Sequence, residues 1–242
     1  MAEPYVREYH NTAFRNALPS VADFRRQHAV NMRWFDDNYL ALLPVDREAR
    51  ILDVGCGRGE FLFWLKERGY RGIEGVDISE HIAAYCREVV GCEVAQSGDI
   101  ETFLADRRYD MIHLGDVIEH FPKSSLFGIL RAISGALSPG GFLLVRTPNA
   151  VGLAGLYMRY NSLTHELIFN DRTIRKALQA GGFGRMDVHG ERFGWKLRPR
   201  FLAWMLLRAI WFRLMRLIYV IELGAEAPKI LTRNLIARGW KA

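Results

Sequence analysis

Between residues 47 and 150, short apolar runs alternate with stretches in which apolar side chains recur every three to four residues. The runs are typical of buried strands, and the stretches are typical of helices that pack one face against a sheet. The predicted strands are residues 51–55, 73–78, 93–96, 109–114 and 142–146, and the predicted helices are residues 59–68, 80–90 and 124–137. Because strands and helices alternate, the pattern predicts an α/β fold with a parallel sheet between two layers of helices.

The segments that flank this alternation have a different pattern. Helical spacing over residues 20–43 predicts a helix that ends at Pro44, whereas residues 147–169 begin as a loop and have no clear period. Further predicted elements are a helix from residue 170 or 171 to 180 and strands at 184–189 and 230–238. We divide the chain into an N-terminal helical cap (1–46), a core (47–194), an apolar and basic helical insertion (195–227) and a last core strand (228–242).

Positive charge is concentrated near the end of the sequence. The 242 residues carry a net charge of +6, but residues 185–242 alone hold 12 lysines and arginines against 4 acidic residues. The three cysteines form no Cys-x-x-Cys pair, which argues against a disulfide framework or a zinc cluster. The first residues contain no apolar run of signal-peptide length. We therefore expect a cytoplasmic protein.

A glycine-rich loop follows the first predicted strand, with Gly55, Gly57 and Gly59 at alternate positions. Such a loop between a strand and a helix brings backbone amides close to a ligand. Glu60 stands where a dinucleotide fingerprint has its third glycine, which disfavours NAD. Asp53 and Glu60 place two carboxylates around the loop, and this charge favours a ligand with an ammonium and a sulfonium group.

A further carboxylate marks the end of the second predicted strand. Asp77 lies 22 residues after Gly55, where a carboxylate can accept hydrogen bonds from both hydroxyls of a ribose. A ligand with an adenosyl group and a positive charge fits both the carboxylates around the loop and the ribose contact at Asp77.

Together these motifs resemble the class I S-adenosylmethionine-dependent methyltransferases. The resemblance covers about residues 47–150 and is carried by residues 53–59, 75–79, 98–100, 109–120 and 139–145. It implies a Rossmann-like, mostly parallel seven-stranded sheet with helices on both faces, an N-terminal helical extension and a helical insertion before the last strand. It also implies S-adenosyl-L-methionine as the cofactor. The implied cofactor-binding residues are Asp53, Gly55, Cys56, Gly57, Asp77, Ile78, Asp99, Ile100, Gly115 and Asp116.

Two histidines are candidates for catalysis. Methyl transfer from a sulfonium depends mainly on alignment, but an oxygen acceptor must also lose its proton. His120 follows the fourth predicted strand, and His165 lies in residues 147–169, which we interpret as the acceptor loop. Each histidine has a second interpretation, in which it only shapes the pocket or caps a helix. No close ligand spacing such as His-Glu-x-x-His occurs, so we expect no metal.

Residues 201–221 are apolar except for Arg208, Arg213 and Arg216. A membrane span needs about 20 apolar residues, but each central arginine costs about 2.5–3.5 kcal/mol on insertion. We therefore expect residues 198–221 to lie on an anionic membrane surface at the inner face of the cell membrane. The alternative is a buried helix or a dimer interface. Nucleic acid is a less favoured partner, because its binding sites usually interleave basic with polar residues.

The acceptor is suggested by a weaker resemblance. The stretch Thr-His-Glu-x-x-Phe at residues 164–169 is similar to a bacterial subgroup associated with cell-surface polysaccharide synthesis. Our leading hypothesis is an O-methyltransferase that acts on a sugar hydroxyl of a surface glycan or its lipid-linked precursor. One alternative is an O-methyltransferase of a small lipophilic acceptor such as a quinone precursor. Another is a non-catalytic, membrane-associated protein that binds S-adenosylmethionine.

Overall fold

The structure is a computed structural model that describes residues 18–151, 153–192 and 199–242. Within these residues, seven strands form one sheet in the order β3-β2-β1-β4-β5-β7-β6. The strands are β1 (Ile51–Val54), β2 (Ile73–Asp77), β3 (Glu93–Gln96), β4 (Tyr109–Gly115), β5 (Leu137–Pro148), β6 (Phe183–Gly190) and β7 (Asn234–Lys241). The helices are α1 (Val21–Tyr39), α2 (Glu60–Glu67), α3 (Glu80–Val89), α4 (Ile100–Leu104), α5 (Leu126–Ala136), α6 (Leu153–Tyr160), α7 (Asp171–Ala180) and α8 (Pro199–Leu223).

The sheet is parallel from β3 to β5 and antiparallel around β7. β1 pairs in parallel with β2 and β4, and the pairs β2–β3 and β4–β5 are also parallel. β7 lies between β5 and β6 and is antiparallel to both. The predicted class I methyltransferase fold is thereby confirmed, together with its N-terminal helix and the helix before the last strand. The strand order reverses between β1 and β4, and in such sheets ligands bind beyond the carboxyl ends of the strands at this point.

Apolar side chains fill both faces of the sheet. All four residues of β1 are buried, as expected for a parallel strand that is covered on both sides. Helices α5 and α7 pack on one face, and α1 and α2 pack on the other. Trp64 of α2 and Tyr39 at the end of α1 are almost completely inaccessible to solvent. An aromatic side chain buries about 150–250 Å², so α1 is a structural part of this layer.

Helix α1 is shorter than the predicted helix over residues 20–43. Its first turn is capped by Ser20, whose hydroxyl oxygen accepts a hydrogen bond from the Asp23 amide at 3.2 Å. After Tyr39 a 3₁₀ turn follows, and Leu43 is already extended with ψ of 155°. A residue that precedes proline avoids the helical region for steric reasons, so the chain leaves the helical conformation at Leu43. Helix α1 itself ends four residues before the predicted end.

The last strand lies at residues 234–241 rather than at the predicted 230–238. The Asn149 side chain explains the later start, because its Nδ2 donates to the carbonyl oxygens of Ile230 and Thr232 at 3.0 and 2.9 Å. These two carbonyls are thereby satisfied outside the sheet. Residues 147–169 also contain α6, which their irregular pattern does not predict, and the short α4 was likewise not predicted.

Helix α8 lies within the predicted insertion and extends over 25 residues. Many of its described apolar side chains are exposed to solvent. Among the described residues, no helix combines the length and the apolarity that are needed to cross a lipid bilayer.

Replacement of Asn149 by alanine should destabilise the fold. Asn149 is 1% exposed, and its loss leaves two carbonyl groups without their donor. Each unsatisfied buried polar group costs about 1–3 kcal/mol, so we expect the free energy of unfolding in urea to fall by at least about 2 kcal/mol. Asn161→Ala is the control, since Asn161 is exposed. A change below about 0.5 kcal/mol in Asn149→Ala, the range of ordinary surface substitutions, would contradict this role.

Candidate active site

A cavity of about 310 Å³ opens at the carboxyl ends of the central strands. Its walls come from the loops that follow β1, β2, β3 and β4, as the reversal of strand order between β1 and β4 requires. Eight of the residues predicted as cofactor-binding or catalytic line it, namely Gly55, Gly57, Asp77, Ile78, Asp99, Ile100, Asp116 and His120. Lining residues that the sequence did not suggest include Ser97, Val117, Phe121 and Ile129.

The glycine-rich loop exposes its backbone to this cavity. Gly55 and Gly57 both have positive φ, at 65° and 53°. A Cβ on Gly55 would lie 2.6 Å from Val117, whereas a Cβ on Gly57 would meet no atom within 4 Å. Gly55 therefore permits close packing of the loop against the end of β4. Gly57 leaves open space, so a ligand can lie directly against the main chain.

Asp77 connects this loop to the end of β2. Its Oδ2 accepts a hydrogen bond from the Gly57 amide at 3.1 Å, and its Oδ1 accepts one from the Ser79 amide at 2.9 Å. Burial raises the pKa of the Asp77 carboxyl, and these two amide groups oppose the rise. Each carboxylate oxygen has a second lone pair, so both can still accept hydrogen bonds from ribose hydroxyls.

Asp99 and two isoleucines surround the other end of the cavity. The Asp99 carboxylate caps α4 by accepting hydrogen bonds from the amide and the hydroxyl of Thr102. These hydrogen bonds lower the pKa of Asp99. Ile78 and Ile100 provide apolar surface beside it. Apolar side chains next to a carboxylate fit an adenine ring with its amino group, so the described residues are suited to S-adenosyl-L-methionine.

Three predicted cofactor-binding residues do not line the cavity. Asp53 Oδ1 lies 2.7 Å from His113 Nδ1, and both side chains are buried. Cys56 is also buried, and a hydrogen bond with Cys86 together with burial raises the pKa of its thiol. Gly115 lies under the His113 ring, where a Cβ would approach within 2.7 Å. The assignment of these three residues to the cofactor remains a prediction.

Both candidate histidines lie at the end of β4, although only His120 lines the cavity. His120 ends a 3₁₀ turn (Ile118–His120), and its ring centroid is 4.7 Å from that of His165. The loop that carries His165 is fixed by the amides of Glu166 and Leu167, which donate to the Glu119 carbonyl oxygen at 2.9 and 3.0 Å. The fold thus brings together two histidines that are 45 positions apart.

The hydrogen bonds of the two rings define their tautomers. His120 Nδ1 lies 3.0 Å from the Thr164 carbonyl oxygen, and His165 Nδ1 lies 2.7 Å from the Met158 carbonyl oxygen. Because a carbonyl oxygen only accepts hydrogen bonds, each Nδ1 must carry the proton. The lone pair of each neutral ring is therefore on Nε2.

Glu119 belongs to the same cluster, although the sequence alone did not predict this role. Its side chain is 1% exposed, and Oε2 accepts a hydrogen bond from the Thr147 hydroxyl at 3.0 Å. Among the described residues, Oε1 has no hydrogen-bond partner. Burial, together with the nearby Asp116 carboxylate, raises the pKa of Glu119 to about 8. Its place directly before His120 was the available signal, but a glutamate after a strand is usually exposed.

Asp116 has an unusual backbone conformation beside this cluster, with a φ of 58°. Its carboxylate binds Arg146 of β5 at 2.7 Å, and the guanidinium of Arg146 stacks on the Trp34 ring of α1. A positive φ is costly for a residue with a Cβ, although aspartate tolerates it better than most. The ion pair and the aromatic ring together stabilise this turn at the edge of the cavity.

Comparison with known proteins identifies the family. A family model described as a methyltransferase domain matches residues 24–185, which is more than half of the chain. The chain belongs to this methyltransferase family. Its cofactor is S-adenosyl-L-methionine, as the sequence predicted.

Individual relatives are more distant. The methyltransferase is 30% identical over 109 residues to a malonyl-[acyl-carrier protein] O-methyltransferase of Pectobacterium atrosepticum, a match that covers 45% of this chain and 43% of the relative. It is 26% identical over 142 residues to a ubiquinone biosynthesis O-methyltransferase of Leptothrix cholodnii, covering 53% and 56%. The match thus spans about half the length of each relative.

A solved structure supports the fold over nearly the whole chain. The crystal structure of a SAM-dependent methyltransferase from Archaeoglobus fulgidus superposes with a TM-score of 0.63. The superposition covers 99% of this chain and 100% of that chain, at 22% sequence identity. At this identity the likeness shows the fold alone.

Removal of the Asp77 carboxylate should weaken cofactor binding by the methyltransferase. Hydrogen bonds to a charged group contribute about 1.5–3 kcal/mol, so Asp77→Ala should raise the Kd for S-adenosylmethionine by at least about tenfold in calorimetry. Asp106→Ala is a suitable control, because Asp106 is exposed in a turn. Circular dichroism should show that both variants are folded. An unchanged Kd in folded Asp77→Ala would refute the assignment.

Proposed function

We propose that this methyltransferase transfers a methyl group to an oxygen atom of a small lipophilic acceptor, such as a quinone precursor. The observation that carries the proposal is the cluster formed by Glu119, His120 and His165 at the end of β4, beside the cofactor cavity. An oxygen acceptor must lose a proton when the new bond forms, and this cluster places two imidazole rings that can accept a proton at that position. Two named relatives are O-methyltransferases, which supports an oxygen acceptor.

The residues of the site have separable tasks in this reaction. S-adenosyl-L-methionine supplies a methyl group that is already activated by the positive sulfur. The glycine-rich loop and Asp77 hold the cofactor, so that alignment provides much of the rate increase. The cluster at the end of β4 acts on the acceptor hydroxyl.

The outer face of α8 supports a lipophilic acceptor. At 100° per residue, eight apolar side chains of α8 fall within one sector of about 140°, and each of them is between 43% and 72% exposed. These residues are Leu206, Leu207, Ile210, Trp211, Leu214, Leu217, Ile218 and Ile221. The opposite side of the helix contains the half-buried Phe212, Met215 and Tyr219 together with the exposed Met205. We name the eight exposed residues the outer face of α8.

We propose that this outer face lies on an anionic membrane surface. Arg213 and Arg216 lie to one side of it and are exposed, and residues 203–221 contain no acidic residue. A second copy of the same helix would bring like charges together, whereas anionic lipids complement them. Helices of this kind bury their apolar side about 5–10 Å into the headgroup region. The enzyme would then remain where a lipophilic acceptor is dissolved. Residue 198, the first of the predicted membrane-binding segment, lies outside the described residues.

Vesicle binding tests the membrane surface. The protein should sediment at low salt with vesicles that contain phosphatidylglycerol, and binding should decrease as salt is added. Ile210→Glu combined with Leu217→Glu should abolish it, because two charges would enter the apolar sector. Val45→Glu is the matched control, since Val45 is 97% exposed elsewhere on the surface. Wild-type protein that stays in the supernatant, or forms a dimer through α8 in sedimentation analysis, would overturn this proposal.

Methyl-labelled cofactor tests the acceptor class. When the protein is incubated with labelled S-adenosylmethionine and a bacterial extract, we expect the label in the fraction that dissolves in organic solvent. Label in polysaccharide would instead support the glycan hypothesis. Label in nucleic acid or protein would exclude both the lipophilic and the glycan acceptor. Cofactor binding without any transfer would indicate the non-catalytic alternative.

Mutation of the cluster links it to turnover. Groups that act on the acceptor proton typically contribute a factor of about 10²–10⁴, so His165→Ala should reduce kcat at least about 100-fold. The Kd for the cofactor should change little, because His165 does not line the cofactor cavity. His189→Ala on β6 serves as the control. Normal turnover in His165→Ala would remove this residue from the reaction.

A further inference from the structure

The cluster at the end of β4 has the composition of a metal site. A carboxylate oxygen of Glu119 and one ring nitrogen each of His120 and His165 all lie within 4.8 Å of one another. Two ligands that are each about 2.1 Å from a tetrahedral ion lie about 3.4 Å apart, so the three atoms must approach one another by at most about 1.4 Å. Small side-chain adjustments would therefore let all three atoms contact one ion.

The orientation of the rings favours a metal site over a simple proton acceptor. Each histidine directs its Nδ1–H to a backbone carbonyl oxygen, at 3.0 Å for His120 and 2.7 Å for His165. A second hydrogen bond of this kind fixes the ring and its tautomer in most protein metal sites, and leaves Nε2 as the ligand atom. A general base requires one histidine, whereas here two are held in the same way.

The buried carboxylate provides an independent observation. Glu119 is 1% exposed, and its Oε1 has no hydrogen-bond partner among the described residues. Buried polar atoms in native proteins are almost always paired, so an oxygen without a partner beside two imidazole rings indicates an unfilled ligand position. The sequence did not suggest this site, because His165 reaches it only through the folded acceptor loop.

We infer that Glu119, His120 and His165 bind one divalent transition-metal ion, which activates the acceptor oxygen in the proposed O-methyl transfer. Two imidazoles and one carboxylate suit ions such as Mn²⁺, Fe²⁺, Co²⁺ or Zn²⁺ better than Mg²⁺ or Ca²⁺, which prefer oxygen ligands. This replaces the expectation of no metal that the sequence alone produced. The catalytic role of the metal rests on the proposed function, whereas the existence of the metal site does not.

Three protein ligands leave coordination positions open for the acceptor. A bound cation lowers the pKa of a hydroxyl group that contacts it. The hydroxyl proton would leave to solvent, and the oxygen would form the new O–C bond while the S–C bond breaks and its electron pair stays on sulfur. This chemistry selects acceptors that present one or two oxygen atoms to the ion.

Direct titration of the full-length protein tests the site without any catalytic assay. Protein that has been treated with EDTA and desalted should bind about one equivalent of Mn²⁺ in calorimetry, with no cofactor or acceptor present. Glu119→Gln and His165→Ala should each raise the Kd for Mn²⁺ at least about tenfold, since changes even in the residues behind metal ligands cost 10–100-fold. Glu119→Gln retains an acceptor for the Thr147 hydroxyl, which favours correct folding.

Controls make the outcome unambiguous. His189→Ala should bind Mn²⁺ like the wild type, and all variants should retain their affinity for S-adenosylmethionine. Wild-type protein that binds neither Mn²⁺ nor Zn²⁺, or His165→Ala that binds them normally, would overturn the inference. Transfer of labelled methyl groups without metal binding would leave the proposed function intact and reject only the metal. Metal binding without label in the lipid fraction would leave the metal site intact and reject the proposed lipophilic acceptor.

Discussion

The parallel pairing of β1 with β4 is the constraint on which the site depends. Asp53 lies opposite His113 in this pairing, and the two buried side chains form a close contact across the strands. A charged or polar pair in the core is tolerated only when its members satisfy each other. Because parallel strands end at the same edge, the pairing places the glycine-rich loop beside the turn with Glu119 and His120. The cofactor cavity and the metal-binding cluster are therefore neighbours for a geometric reason.

The acceptor side is attached to this framework by main-chain hydrogen bonds. Both amides of Glu166 and Leu167 donate to the carbonyl oxygen of Glu119, so the loop and the turn are joined independently of side-chain identity. The hydroxyl of Thr147 in β5 donates a hydrogen bond to the Glu119 carboxylate. As a result, side chains from the 3₁₀ turn after β4, from β5 and from the loop after α6 meet at one point. Such convergence from several elements allows the acceptor loop to vary while the cofactor site is kept.

The sequence predicts the features that depend on local pattern or on short motifs. Strands β1 to β4 lie within one residue of their predicted bounds, because their burial leaves continuous apolar runs, whereas β5 begins five residues before its predicted start. Gly55, Gly57, Asp77 and Asp99 line the cavity as expected, since their motifs follow strand ends. Asp53 was interpreted as a partner of a cationic ligand, but its contact with His113 joins positions 60 residues apart. A single sequence does not reveal a side-chain contact between positions so far apart.

Other differences also come from long-range contacts. The start of β7 depends on Asn149, and the role of Glu119 depends on a loop that begins more than 40 residues later. The weaker resemblance to polysaccharide enzymes rested on a few residues of that loop, and the named relatives have other substrates. A short motif identifies the cofactor well because methyltransferases with different acceptors bind the same cofactor. The acceptor pocket is assembled from distant segments and is therefore poorly encoded by local pattern.

The position of β7 has a consequence for the order in which the chain folds during synthesis. β5 pairs along residues 142–148 with a strand that is made more than 80 residues later, after the apolar helix α8 has been translated. Until then, β5 presents an open edge, and unpaired edges are templates for aggregation. The cofactor half of the sheet precedes this stage and can assemble first. The open edge of β5 is thus covered only by a strand that follows both the cofactor half and α8 in the chain.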